Sequence, residues 1–453
     1  MADETLPLSL EQRTAARPHK LRTWAFPLEY HLAEPVDDKA LSRALATVAA
    51  RHDPLRLRLV PGIELRQRFL PAGDHFPIDV ADCADEDEAE RRRAAFFAEE
   101  WDLENHGPLR SLLVRVSGGS PRLLLSIHHL AWDGMSTDPF DADMWSSYEA
   151  LRSGHEPALP PTRFGYRDYI RQQSDSGAGL AESQERYWDG IFQGWRPEQG
   201  FGNAVDRRRG ERPGWWDGAV TGPAPTASRQ NRLALTGRSL RVTPPMMWLA
   251  GAFAALWAHH HDDWVCLYWI HHGRDRAELF DLVGYFSRTI PLRLRLDPGD
   301  RFDELCRRAF HQVRSSIRQS AAPWQITRLA DRVVGPPVVA PGSDTPRRPR
   351  MSRVSVNIHT PGPGETPAAS PPLPDEDEPA QAVLHEPKTP HPGQFWLYVA
   401  LGATPALSAE FDRRRFPDDW ALARVDALHK VMTAVTEQGA GISLGDLREF
   451  VRR

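Results

Sequence analysis

The chain has 453 residues, 41% of them apolar and 26% charged, a globular composition with enough apolar side chain to build two or three domains. Basic and acidic residues number 56 and 61, so the net charge of -5 gives no general attraction to nucleic acid or to an anionic membrane. Cys83, Cys266 and Cys306 are too few and too far apart for a disulfide framework or a zinc finger, and reduced cytosolic thiols are expected. The N-terminus lacks the apolar stretch of a secretory signal, and the longest apolar run, Met246 to Ala258, is well short of the ~20 residues of a bilayer span. A soluble, cytoplasmic protein without membrane contact is the expectation. All the basic residues except Lys20, Lys39, Lys388 and Lys430 are arginines. Arginine suits anion recognition, but the scatter of these residues fits the codon usage of a GC-rich genome better.

In chain order, Asp37 to Arg51 reads as a helix: Asp37 is a suitable N-cap, and Leu41, Ala44, Leu45, Val48 and Ala49 form one apolar stripe. A short strand follows, Leu55 to Val60, and then a second helix, Asp85 to Trp101. Leu109 to Val116 and Arg122 to Ile127 are apolar strand-length runs joined by Ser117-Gly118-Gly119-Ser120, the pattern of a hairpin. Directly after the second strand stands His128-His129-Leu130-Ala131-Trp132-Asp133-Gly134. Phe140 to Arg152 is expected to be helical. Polar, glycine-rich residues 174–179 mark a boundary between an N-terminal domain of residues 1–175 and a C-terminal domain of residues 176–453. Beyond it, Glu182 to Phe192 reads as a helix and Asn203 to Pro225 as irregular. Thr243-Pro244-Pro245 opens a buried helix that runs through Ala258. Trp264 to Ile270 is a buried strand, Arg301 to Gln319 a helix, Phe395 to Leu401 a strand and Trp420 to Glu437 a last helix. Residues 334–349 and 361–392 are proline-rich loops.

The histidine pair carries the chemistry. If the strand runs through it, His128 and His129 point to opposite faces, one to the core and one to a cleft, which disfavours a shared metal site. Gly134 permits a left-handed turn that brings Asp133 back towards the pair. A histidine at a strand end, beside a loop stiffened by a carboxylate, suits acid–base work. Paired histidines before a loop also serve as hydrogen-bonded core groups, and the spacing by itself leaves both readings open. His259-His260-His261 falls at a predicted helix C-terminus, where cations suit the dipole, and no metal site is expected there.

The histidine pair followed after three residues by Asp-Gly resembles the signature of the condensation domains of nonribosomal peptide synthetases, within the chloramphenicol acetyltransferase-like superfamily. Other motifs of that family follow in order. Ser9-Leu10-Glu11-Gln12-Arg13 is similar to the first, Arg51-His52-Asp53-Pro54-Leu55-Arg56 to the second, and Tyr166-x-Asp168-Tyr169 to the fourth. Gly273-Arg274, Val283-Gly284-Tyr285-Phe286-Ser287-Arg288-Thr289 and Pro291-Leu292-Arg293 are similar to the fifth. The resemblance spans roughly residues 6 to 450. It departs at Arg288, where the family usually has Asn, and at the sixth motif, of which Pro323-Trp324 remains.

The resemblance implies an α/β fold of two chloramphenicol acetyltransferase-like lobes in a V-shaped pseudo-dimer, with a tunnel entering from each side. It implies that His129, Asp133 and Gly134 are catalytic: His129 as base or positioner, Asp133 as the group that fixes the loop, and the Gly134 N–H as oxyanion donor. His128, Arg56 and Arg293 would support them, Arg293 by pairing with Asp133. Trp132, Tyr285, Ser287, Arg288 and Trp324 would line the substrate channel. The reaction would join an acyl or aminoacyl thioester, held on the phosphopantetheine of a carrier protein, to an amine or hydroxyl acceptor. That acceptor would be a free small molecule or a group on a second carrier. No metal, resident cofactor or nucleic acid is implied. Neither an adenylation domain nor a carrier Gly-Gly-x-Ser motif occurs within these residues, so a stand-alone enzyme working in trans is expected. An acyl-CoA-dependent acyltransferase and a non-catalytic recruitment module are the alternatives on the same fold. An epimerase is disfavoured because Ile270 stands where epimerisation domains carry a glutamate. The arginines Arg13, Arg17, Arg22, Arg307, Arg314 and Arg318 are candidates for a carrier-docking rim.

Overall fold

A computed structural model describes residues 4–175, 181–195, 217–223, 225–259, 262–319, 326, 329, 353–359, 394–401, 405–413 and 416–453. The chain forms two compact units. The first comprises the described residues up to 175 together with His272–Arg288; the second comprises the described residues from 181 to 271 and from Thr289 onward. The division is therefore not the contiguous one expected at 175/176, because the segment 272–288 packs with the first unit.

In the first unit, strands β2 (Ala25–His31), β5 (Asp79–Cys83), β6 (Leu109–Val116) and β7 (Arg122–His128) form a sheet of order β2-β7-β6-β5. β7 is central and buried along its whole length on both faces. Leu123, Leu125 and Ile127 meet Leu41, Leu45 and Val48 of helix α3 (Asp38–Arg51) and Phe140 and Met144 of helix α5 (Thr137–Arg152). Leu124 points the other way and packs with Ala89 of helix α4 (Glu86–Ala98). His128 shares the parity of Leu124 and is buried beside Trp101. α3 begins as expected, with the Asp37 carboxylate accepting the Ala40 N–H at 2.9 Å. Short helices α1 (Leu10–Ala15) and α2 (Pro18–Thr23) precede β2, and α6 (Tyr166–Asp175) ends the described part of this stretch. β1 (Leu6–Pro7), β4 (Arg66–Phe69) and β3 (Leu57–Val60) form a small second sheet.

The second unit is built on a six-stranded sheet of order β10-β9-β11-β12-β13-β8. Its strands are β8 (Asp217–Gly222), β9 (Trp264–His271), β10 (Arg288–Arg295), β11 (Arg353–His359), β12 (Gln394–Ala400) and β13 (Ala406–Asp412). Helices α7 (Glu182–Phe192), α8 (Ala227–Leu240), α9 (Pro244–Ala258), α10 (Phe302–Arg318), α11 (Asp418–Gln438) and α12 (Leu444–Arg452) complete it. α9 is apolar all round and therefore buried all round, as its sequence requires. It approaches α11 so closely that a Cβ at Gly251 would stand 2.5 Å from Met432 Sδ. β8 falls inside the stretch read as irregular from sequence; it is an edge strand whose partner, β13, lies far along the chain. His260 and His261 lie outside the described residues. Among the described residues no helix is long and apolar enough to cross a membrane.

Candidate functional site

The site grows from the end of β7. The strand stops at His128, and His129–Ala131 turn at once into a short 3-10 helix. The Nδ1 atom of His128 accepts the Leu130 N–H at 3.0 Å, so the ring proton sits on Nε2 and donates to the Lys20 carbonyl at 3.1 Å. Burial pushes the His128 pKa down to about 3, against an ordinary value of 6.5. Below the ordinary value the unfolded chain takes up a proton that the native state refuses. Stability therefore falls as pH drops from the ordinary value towards 3, by about 1.4 kcal/mol per pH unit from this group. Replacing His128 with Asn is expected to flatten that acid slope by about one proton. Denaturant titrations at neutral and mildly acid pH check it; an unchanged slope would refute the assignment.

His129 is half-buried and held on three sides. Its backbone N–H donates to the Trp24 carbonyl at 2.9 Å. Its Nδ1–H donates to the Trp132 carbonyl at 3.0 Å, which in the neutral ring leaves the lone pair on Nε2. The imidazole stacks on the Trp24 indole at 4.5 Å and 27°, and Phe26 meets it edge-on at 5.2 Å. The N-terminal motif braces the same loop. The buried Gln12 amide donates to the Leu130 carbonyl at 2.8 Å and accepts from Gln67 at 2.7 Å, while Ser9 and Gln12 close a capping box at the start of α1.

Asp133 is the hub of a buried network. Its Oδ1 accepts from Arg274 Nη2 at 2.8 Å and from the Ser136 hydroxyl at 3.0 Å, and its Oδ2 accepts the Phe286 N–H at 2.9 Å. Ser136 also accepts the Gly284 N–H at 3.0 Å. Arg274 is fully buried, lies over the Phe286 ring at 4.3 Å, and donates further to the Leu279 and Leu282 carbonyls. Gly273 makes this possible: its φ is 73°, and a Cβ there would stand 1.8 Å from the Phe286 carbonyl oxygen.

Within the first unit the ion-pair partner of Asp133 is Arg274, where the family resemblance implied Arg293. Arg293 lies on β10 in the second unit, where it donates to the Gln193 and Gly194 carbonyls at the end of α7 and stacks on Trp264 at 4.1 Å. A cation suits such a helix end. Arg56 is also structural in its contacts: it donates to the Ala49 carbonyl at 2.7 Å, pairs with Asp53 at 2.7 Å, and so ties off the C-terminus of α3. Trp132, expected to line a channel, is fully buried with its ring edge-on to Phe140 at 5.2 Å; the 3-10 turn directs its ring into the core and its carbonyl to His129. Arg288, expected in the channel as well, has its Nε on the buried Glu11 carboxylate at 2.9 Å and a longer contact to the Tyr169 hydroxyl at 3.4 Å. Tyr285 is partly buried and meets Trp24 edge-on at 5.4 Å, and Ser287 is partly exposed. Gly134 is exposed and opens the turn Gly134–Ser136, where the first N–H of a helical turn has no partner within the turn. Trp324 lies outside the described residues. Trp24, Phe26 and Ser136 were not legible as site residues; Arg274 was, but only as part of a motif, since nothing in the sequence gives its partner.

The condensation-domain family model matches residues 4–331. The chain is 27% identical over 348 residues to a linear gramicidin synthase of Brevibacillus parabrevis, covering 73% of this chain and 6% of that protein. It is 26% identical over 334 residues to the phosphinothricin tripeptide synthetase PhsC of Streptomyces viridochromogenes, covering 66% and 28%. The chain therefore spans less than a third of the length of these relatives. Its fold is similar to that of the X-domain from teicoplanin biosynthesis, with a TM-score of 0.73 at 20% identity over 98% of each chain.

Proposed function

The chain belongs to the condensation-domain family, and from that premise we propose that it joins a carrier-bound acyl or aminoacyl thioester to an amine or hydroxyl acceptor in nonribosomal peptide-type biosynthesis. The observation that carries the reading is the His129 tautomer: Nδ1 is committed to the Trp132 carbonyl, so the neutral ring presents Nε2 as a base. The acceptor N–H or O–H gives its proton to Nε2 as the nucleophile attacks the thioester carbon. The C–S bond then breaks, and the imidazolium returns the proton to the departing thiolate. The exposed Gly134 N–H is the candidate donor to the oxyanion between these steps. Asp133 is enclosed by Arg274, Ser136 and the Phe286 N–H, so its part is to hold the loop rather than to touch substrate. A thioester is already activated, so the reaction calls for no nucleotide or metal.

The donor thioester would come on the phosphopantetheine arm of a carrier protein. Two of the arginines suggested for docking, Arg22 and Arg307, pair with Glu100 and Asp303 at the surface, and Arg13, Arg314 and Arg318 are exposed as well. We expect the same acyl group to react with a kcat/KM at least about tenfold higher on its carrier protein than on coenzyme A or a pantetheine mimic, through charge-assisted encounter. Salt should erode that advantage, since the Debye length falls from ~10 Å at 0.1 M to ~3 Å at 1 M. Equal kcat/KM for all three donors, unmoved by salt, would remove carrier docking and favour an acyl-CoA-dependent enzyme.

A further inference from the structure

We propose that Trp24 is a positioning residue for His129, setting the plane of the imidazole so that Nε2 faces the nucleophile; the proposal rests on reading His129 as the base. Trp24 follows α2 and precedes β2, and its N–H donates to the Lys20 carbonyl at 3.0 Å. It reaches His129 twice, through its own carbonyl, which accepts the His129 N–H at 2.9 Å, and through its ring, stacked at 4.5 Å. The two contacts do different work. The backbone bond fixes where the residue starts. The Nδ1–H bond to the Trp132 carbonyl fixes one point of the ring but allows rocking about that bond, because χ2 of histidine has a broad well. A face-to-face indole removes that remaining rotation, and Phe26 at 5.2 Å closes the edge.

Trp24 is itself held. The Lys20 ammonium stands 4.0 Å from its ring centroid, and Tyr285 meets it edge-on at 5.4 Å. The Lys20 carbonyl also accepts the His128 Nε2–H at 3.1 Å. The end of α2 and the residue after it thus register both histidines, one through Lys20 and one through Trp24. A misplacement of the order of 1 Å at a reacting group costs about 10²-fold in rate, which is the scale on which this brace acts.

The test compares Trp24→Leu, Trp24→Phe and His129→Ala with the wild type, using the carrier-bound donor. Trp24→Leu is expected to lower kcat about 10²-fold while changing either KM by no more than about threefold. Trp24→Phe keeps a face to stack on and should recover most of the loss. The second readout is independent of turnover: the imidazole proton resonance of His129, assigned by its disappearance in His129→Ala, should sit upfield in the wild type and Trp24→Phe and move downfield in Trp24→Leu. A resonance that stays put in Trp24→Leu, or a wild-type kcat in that variant while His129→Ala is inactive, overturns the role of Trp24. Full activity in His129→Ala overturns the base beneath it and the proposal with it.

Discussion

His129→Ala is expected to lower turnover by about 10²–10⁴-fold while the protein remains folded, the usual range for loss of a positioned acid–base group. Two features set the two halves of that expectation. The rate falls because the Nε2 lone pair, left by the Nδ1–H bond to Trp132, is the base that the mechanism uses. Residual activity survives because holding two substrates together acts without any base, by an entropic effect of up to about 7–11 kcal/mol. The fold survives because the ring is half-buried and its losses are small. They include two aromatic contacts of about 0.5–1.5 kcal/mol each and a hydrogen bond of about 1 kcal/mol, while the backbone bond to the Trp24 carbonyl remains. Single-turnover rates and a thermal unfolding midpoint, measured on the same preparation, check both halves. Near-wild-type turnover in the folded variant would take the chemistry away from His129.

The sequence displayed the His129 loop because its signals are local: an apolar strand, a histidine pair, and an Asp-Gly turn within a few residues. α3 and α9 were legible for the same reason, through a cap, a stripe and a Pro-Pro start. What could not be read depends on distant pairing. β8 is a short edge strand that exists by pairing with β13, almost two hundred residues later. The site repeats this pattern. Composition does not say whether Arg274 or Arg293 reaches Asp133; the answer lies in the positive φ of Gly273, which turns the chain so that its Cα faces the Phe286 carbonyl and the next side chain enters the buried network. Trp132 departs from its expected place for a subtler cause: strand parity stops at His128, and one 3-10 turn reverses which group of Trp132, ring or carbonyl, faces the site. The partner of Arg288 was hidden for a third cause. The Glu11 that engages it sits in the N-terminal motif, 277 residues away in sequence.

Arg274→Met is expected to destabilise the protein by about 3–5 kcal/mol, the cost of breaking one side of a buried ion pair and leaving the other charge uncompensated. The magnitude follows from burial: the Asp133 side chain is 2% exposed and that of Arg274 is 0% exposed, so water cannot replace the lost partner. Ser136 and the Phe286 N–H would still face the carboxylate, which places the cost at the lower part of the range rather than above it. Arg293→Met removes contacts at the end of α7 and a stack on Trp264, none of which reaches Asp133. A double-mutant cycle separates the two arginines. Asp133→Asn with Arg274→Met should show a coupling of about 0.5–3 kcal/mol, and Asp133→Asn with Arg293→Met should be additive within about 0.5 kcal/mol. Turnover adds a second axis, because the loop that carries His129 is anchored four residues away at Asp133. Arg274→Met should therefore lower kcat by about 10²-fold even under conditions where the variant is fully folded, whereas Arg293→Met should leave the His129 resonance in place. Coupling in the Arg293 cycle and additivity in the Arg274 cycle would reverse the assignment and restore the pairing implied by the family resemblance.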